Sequence, residues 1–226
     1  LLILVTGMGY KFTLTVYDKN MLTLTSVQYI YRYAAFGRIL TVWNNRVYFI
    51  SMKGIHTLDA SPGTADLGVE VIVIAQELYQ IAISDGNLYA ITMPGVVYKS
   101  TAYPGRPLPD QLAAKENRMM RIDLPGYNFF CVSAGHGMVF VSGFNSDQQK
   151  GIICVLDANT LEILNKHVLG YQTSWPNFTT LFSTPSPHLV YLSLNTITLF
   201  SLNNSTLTPR LLSLPVYPHR DNNIMG

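Results

Sequence analysis

Leu40-Thr41-Val42-Trp43-Asn44-Asn45-Arg46-Val47-Tyr48-Phe49-Ile50-Ser51-Met52-Lys53-Gly54 lies without gaps over Ile81-Ala82-Ile83-Ser84-Asp85-Gly86-Asn87-Leu88-Tyr89-Ala90-Ile91-Thr92-Met93-Pro94-Gly95. The offset is 41 residues. Each copy reads as a strand, a tight polar turn, a second strand and a glycine-containing turn, because short β-branched and aromatic runs are separated by Asn-Asn or Asp-Gly. A second pair supports the first. Val16-Tyr17-Asp18-Lys19-Asn20-Met21-Leu22 matches Val155-Leu156-Asp157-Ala158-Asn159-Thr160-Leu161, an apolar strand that ends in Asp-x-Asn. Asp and Asn suit such turns because their side chains bond the nearby backbone.

Together the two pairs define a four-strand unit. Its second strand recurs as Ile3-Leu4-Val5, Val47-Tyr48-Phe49, Leu88-Tyr89-Ala90, Val139-Phe140-Val141 and Val190-Tyr191-Leu192, at spacings of 44, 41, 51 and 51 residues. Repeats of about 40–50 residues with four strands each belong to propeller blades. On these residues the chain resembles the β-propeller superfamily. Asp85-Gly86-Asn87-Leu88-Tyr89-Ala90-Ile91 and Cys154-Val155-Leu156-Asp157-Ala158-Asn159-Thr160-Leu161 are similar to quinoprotein-like and WD-repeat-like (WD40-like) blades. The resemblance is architectural and assigns no specific family. Gly135-His136 occurs once, Trp-Asp does not occur, and the double glycines of kelch blades are absent, as is the Gly-Gln-Leu-Gly segment of the regulator of chromosome condensation family.

The expected fold is therefore all-β, a propeller of four-stranded antiparallel blades formed as a single domain over 1–226. The blades fall roughly at 1–30 (strands two to four only), 37–75, 79–124, 128–169 and 178–214. The tail 215–226 starts or closes a blade, since Asp221-Asn222-Asn223 echoes Trp43-Asn44-Asn45. Either the two ends meet in a five-bladed ring or the chain is part of a larger one, and the larger ring is expected. A two-sheet sandwich also has many short strands, but does not call for one four-strand unit five times over. The one segment that reads as a helix is Pro109 to Glu116, within the proline-rich insertion Ala102 to Asn117, and it reads equally as an irregular loop.

Composition narrows the function classes. Hydrophobic residues make up 48% of the 226 and charged residues 12%, against roughly 25% charged in an average domain, so the chain is not of the disordered class. A net charge of +2 excludes a strongly cationic nucleic-acid-binding surface. The apolar opening Leu1 to Val5 is too short to span a bilayer, which takes about 20 residues. Because the sequence opens on Leu1, a leader upstream stays open. Cys131 and Cys154 both sit in strand-like runs two strands apart, about 9–10 Å, beyond the roughly 7 Å reach of a disulfide. They are expected as free thiols.

No catalytic, metal or cofactor constellation is present in the sequence. His56, His136, His167, His188 and His219 include no His-x-x-x-His, His-x-His or His-Glu-x-x-His pair, and each is expected in a turn or on a strand surface. Gly-x-Ser-x-Gly, a P-loop and a dinucleotide fingerprint are missing. Asp18, Asp59 and Asp157 share one position in their blades and are expected to cap turns rather than ligate a metal. Asn177, Asn203 and Asn204 head glycosylation sequons.

A binding face can be read from the strand order. Loops after strands two and four open on one face of a propeller, and loops after strands one and three on the other. The first face collects Tyr10, Lys11, Tyr31, Arg32, Lys53, Lys150, Tyr171 and Trp175, with Glu77 and Asp147 as its opposing charges; the second collects Asp18, Asp59, Asp66, Asp85 and Asp157. Aromatic and Arg residues on a rigid rim are typical binding anchors; the tyrosines read equally as lids packed over the blade ends, and Trp175, in a long loop, reads as an anchor. The expected role is a non-enzymatic protein-protein interaction or scaffold module, with Trp175, Tyr171 and Lys150 at the centre of its partner site and the insertion Ala102 to Asn117 as a second contact. The alternative is an extracellular carbohydrate-binding or hydrolytic propeller, favoured by low charge, many tyrosines and the sequons. It would need a carboxylate pair about 5–10 Å apart, and Glu occurs only at 70, 77, 116 and 162.

Overall fold

The computed structural model describes residues 2–8, 11–17, 20, 23–30, 40–44, 46–51, 54–59, 70–72, 78–92, 95–101, 118–122, 124–171, 180–183, 186–192 and 197–212. The segment Pro109 to Glu116 and the tail from 215 lie outside them. The described residues form nineteen strands in five antiparallel sheets. The first sheet has three strands, β1 (Leu2–Met8), β2 (Lys11–Tyr17) and β3 (Thr23–Ile30). The second is β4 (Leu40–Trp43), β5 (Arg46–Ser51), β6 (Gly54–Asp59) and β7 (Glu70–Ile72). The third is β8 (Leu78–Ser84), β9 (Asn87–Thr92), β10 (Val96–Thr101) and β11 (Arg118–Arg121). The fourth is β12 (Tyr127–Gly135), β13 (Met138–Asn145), β14 (Lys150–Asp157) and β15 (Ile163–Tyr171). The fifth is β16 (Thr180–Ser183), β17 (His188–Leu192), β18 (Ile197–Asn203) and β19 (Thr206–Leu212).

In every sheet the strands pair in sequence order. Consecutive sheets meet through their first strands, β4 against β8, β8 against β12 and β12 against β16. The first strands therefore gather on the inside and the fourth strands lie at the rim. The repeated segments fall where the repeat places them. Val47 and Tyr48 are in β5, Leu88 and Tyr89 in β9, Val139 and Phe140 in β13, and Val190 and Tyr191 in β17, each pair with at least one buried member.

The fourth sheet shows how a two-residue period builds two cores at once. Val139, Val141, Ile152, Cys154 and Leu156 face the third sheet, where they pack with Ala82, Tyr89, Ile91 and Val97. Phe140, Phe144, Ile153 and Val155 face the fifth sheet, against Leu189, Tyr191 and Phe200. Both faces are buried, so these strands are nearly continuous in apolar residues rather than alternating. A bulge in β12, between Phe129 and Cys131 in its pairing with β13, breaks the alternation. It sends Phe130 and Cys131 together toward the fifth sheet while Phe129 and Val132 face the third. Cys131 and Cys154 are buried free thiols on opposite faces of the sheet. Burial pushes the Cys154 thiol up to about 11.

The tight turns follow from their residues. Asp85-Gly86 and His136-Gly137 have positive φ at both positions, as do Asn44 and Asn204 in the equivalent hairpin turns of other sheets. This is the mirror-image geometry that matches the twist of two-residue hairpins. Polar ties cross from the third sheet to the fourth. The Tyr89 hydroxyl donates to the Ala158 carbonyl at 3.0 Å, and the Lys99 ammonium to Asn159 Oδ1 at 3.4 Å. Burial, then Asp85 and Asp157, raises the Tyr89 phenol to about 12, so it stays protonated as the donor.

Gln80 in β8 makes the innermost tie. It is 2% exposed, and its Oε1 accepts from the Val132 N–H just beyond the bulge, at 3.0 Å. Gln80→Ala removes that acceptor from a buried amide and should cost about 1–3 kcal/mol in urea unfolding. Gln80→Glu, which keeps an acceptor oxygen but brings a charge into a buried site, should also destabilise. An alanine variant as stable as the parent would show that the amide finds another partner.

Candidate functional site

The face formed by loops after second and fourth strands is best described in the fourth sheet. Lys150, the first residue of β14, is exposed and is the direct register partner of Tyr171, the last residue of β15. Two of the three residues placed at the centre of the site are thus cross-strand neighbours. Trp175 lies four positions beyond Tyr171, outside the described residues. Lys11 holds the same place in the first sheet: it opens the third strand of its blade and pairs with Ile30, the last residue of β3. Tyr10, Tyr31, Arg32 and Lys53 lie outside the described residues, although Lys53 directly precedes Gly54 at the start of β6, so the sequence repeats a lysine at this point in three blades.

The loop that presents Lys150 is held by a residue that sequence reasoning did not single out. Asn145 ends β13 and is 4% exposed. Its Oδ1 accepts from the N–H groups of Asp147 and Gln148, at 3.0 and 2.9 Å, closing an Asx turn at the head of the loop. Gln149 follows with φ 51°, and its Nε2 donates to the Ser146 carbonyl at 2.7 Å. On the other side, Asn145 is packed against the turn between β11 and β12. A Cβ at Gly126, where φ is 80°, would lie 2.6 Å from Asn145 Nδ2. The available signal is an Asn at the end of an apolar strand, directly before Ser-Asp-Gln-Gln. Ser146, Asp147, Gln148 and Lys150 stand exposed on this fixed hairpin.

The opposite face carries the acidic turns. Asp157 Oδ1 accepts from the N–H of Asn159 at 2.7 Å and of Thr160 at 2.8 Å. These backbone bonds, Thr160 first, hold its carboxyl below the ordinary carboxylate range. Asp157 is a turn cap. Asp85 is exposed and accepts from the Ser84 hydroxyl at 2.9 Å. Asp59 ends β6, while Asp18 and Asp66 lie outside the described residues, as does the insertion Ala102 to Asn117. Among the described residues no group of three or more His, Cys, Asp and Glu side chains could hold a metal ion. Asn203 and Asn204 are exposed at the turn between β18 and β19, and Asn177 lies outside the described residues.

The histidines divide. His136 is in an exposed turn, in line with expectation. His56 is not on a strand surface: it is 9% exposed and stacked on Phe49 with ring centroids 5.1 Å apart and planes 12° from parallel. His167 is half-buried edge-on to Phe200, and burial lowers its pKa. His56 meets Phe49 as its register partner in the β5–β6 hairpin, a contact that follows once the hairpin is placed, whereas His167 meets Phe200 of the next sheet, which the local sequence does not signal.

No protein-family model matches the chain, and no curated protein matches it. Among the described residues no helix is long and apolar enough to cross a membrane. Solved structures do resemble it. The chain is similar to BamB from Moraxella catarrhalis, with 14% identity and a TM-score of 0.55 over 93% of this chain and 64% of that one. It is similar to a chain of a mitotic checkpoint complex, with 18% identity and a TM-score of 0.60 over 92% of this chain and 60% of that one. A third likeness is to Kluyveromyces lactis Hsv2 with its loop 6CD replaced by a Gly-Ser linker, with 11% identity and a TM-score of 0.60 over 93% of this chain and 67% of that one. The chain spans about two thirds or less of the length of each. Identities this low speak for fold alone. The sheets in sequence order, their inner first strands and these likenesses make the chain a β-propeller of four-stranded antiparallel blades.

Proposed function

We propose that this propeller is a non-enzymatic interaction module that holds a partner protein on the face bearing Lys150 and Tyr171. The observation that carries the proposal is their direct pairing at the end of a hairpin fixed by Asn145. A lysine and a tyrosine side by side on a preorganised edge offer charge and apolar area at little ordering cost. Trp175 extends that edge in the sequence. A similar chain that sits within a mitotic checkpoint complex fits a propeller that works by association.

Trp175→Ala should weaken binding to a partner protein at least tenfold with the unfolding midpoint unchanged, because a Trp anchor contributes about 2 kcal/mol or more. Lys150→Glu should act mainly on the association rate, and mainly at low salt, because a rim charge steers encounter more than it holds the complex. Surface plasmon resonance with a partner isolated on the parent chain measures both. Unchanged affinity in both variants would move the site off this face, and turnover of a substrate by the purified chain would overturn the non-enzymatic role.

A further inference from the structure

All the second strands but one are paired on both edges. β5, β9, β13 and β17 each lie between a first and a third strand, whereas β1 pairs, among the described residues, with β2 alone. The repeat makes β1 a second strand, because Ile3-Leu4-Val5 stands where Val47-Tyr48-Phe49 and Val139-Phe140-Val141 stand in their blades. The first sheet as described thus holds second, third and fourth strands, and the open edge of β1 is the one that takes a first strand elsewhere. β1 runs Leu2-Ile3-Leu4-Val5-Thr6-Gly7-Met8, without a charge or a proline. Open backbone donors and acceptors along such a strand are a template for a further strand.

The other sheets define what fits there. Against the residues that align with Ile3-Leu4-Val5, the first strands set Leu40-Thr41-Val42 in the second sheet, Ile81-Ala82-Ile83 in the third and Val132-Ser133-Ala134 in the fourth. In each, a small residue is the register partner of a ring, Tyr48, Tyr89 or Phe140, and apolar residues flank it. The fifth sheet departs, with Thr180-Leu181-Phe182. First strands also pack on one another, β8 between β4 and β12 and β12 between β8 and β16. Such a place is one strand wide, which suits a lone segment and not a second folded copy, whose own β1 is built into a sheet. The chain after β19 does not carry the pattern: Ser213 to Gly226 holds Pro215 and Pro218, then the polar run His219 to Asn223. We infer that the open edge of β1 is a strand-acceptor site, and that its occupant is an extended apolar–small–apolar segment of another polypeptide, laid antiparallel so that the three residues meet Val5, Leu4 and Ile3 in turn. Main-chain hydrogen bonds hold a segment of this kind, and its alternate side chains select it. The site is on a different sheet from Lys150 and Tyr171 and does not rest on the role proposed for them.

The probe is the chain's own pattern, a synthetic peptide of residues Arg38 to Trp43 added to the full chain. Hydrogen exchange read by mass spectrometry should show the peptide slowing the amides of Ile3 to Thr6 by about tenfold or more at saturation. Leu40→Pro together with Thr41→Pro in the peptide should weaken binding at least about tenfold, because alternate residues turn their N–H groups to the same edge and one of the two prolines must remove a donor. A peptide of residues Ser213 to Gly226 should leave β1 unprotected. All changes are confined to the peptides, so the fold of the chain is the same in every arm. No protection of β1 at up to about 1 mM peptide overturns the inference. So does equal binding of the double-proline peptide, or a change in exchange confined to β5, which would mean that the peptide has replaced β4. Protection by the Ser213 to Gly226 peptide overturns it as well and gives the edge to the chain's own tail. None of these outcomes alters the Trp175 and Lys150 measurements, which concern another surface.

Discussion

Leu161→Ala should lower the unfolding free energy by about 2–5 kcal/mol, and Leu161→Gly should lower it by roughly 1 kcal/mol less. Leu161 combines two properties that seldom meet. Its side chain is 0% exposed, within the core between the third and fourth sheets, and its backbone has a φ of 63°. The left-handed conformation is imposed by the turn, which is closed by Leu161 N–H donating to the Asp157 carbonyl and Asp157 N–H to the Glu162 carbonyl, both at 2.9 Å. A residue with a Cβ is disfavoured there by about 1–2 kcal/mol, and the buried isobutyl group offsets this. Alanine loses the packing and keeps the strain, whereas glycine loses the packing and the strain together. The usual order of alanine over glycine is thus reversed. Urea midpoints at a common slope measure the difference, and an alanine variant more stable than the glycine variant would mean that the turn has another shape.

Phe129 and Gly143 carry the other large effect. They are register partners on β12 and β13, and the ring lies over the glycine. A Cβ at Gly143 would stand 2.7 and 2.8 Å from Phe129 Cδ1 and Cε1, and 3.0 Å from the Asn128 carbonyl. Phe129 is 0% exposed and cannot swing outward. Gly143→Ala should therefore cost about 1–3 kcal/mol through overpacking, and Phe129→Ala about 3–5 kcal/mol through the cavity it leaves. Combined, they should cost less than their sum by about 1 kcal/mol or more, because the added methyl enters space that the ring has vacated. Additive losses would show that glycine is required at 143 for the backbone contact with Asn128 alone.

The two alignable segments made the architecture legible. Leu40–Gly54 and Ile81–Gly95 carry a two-residue period interrupted by turn residues at fixed offsets, and both signals are local. The same locality placed Lys150 and Tyr171 at one strand end, because in a sequential antiparallel sheet the start of a third strand faces the end of the fourth. Legibility stops where a side chain answers to another sheet. The extra residue in β12 next to Phe129 serves to split Phe130 and Cys131 from Val132 between two cores, and the amide it displaces is met by Gln80, 52 positions upstream. Nor does anything near His167 announce Phe200, on the next sheet, as its ring partner. Asn145 is intermediate: its Asx turn is local, but its role as a wall for Gly126 is not.

The sequential strand order also has a kinetic side. Every strand pair in these sheets joins neighbours along the chain, so each hairpin can close as soon as its second strand exists, at small loop-closure cost. During synthesis at about 5–20 residues per second, a blade of roughly 45 residues is complete within seconds of its first strand leaving the ribosome. The slow event is then the docking of finished sheets along their inner strands, where Gln80 and Tyr89 reach across from one blade to the next.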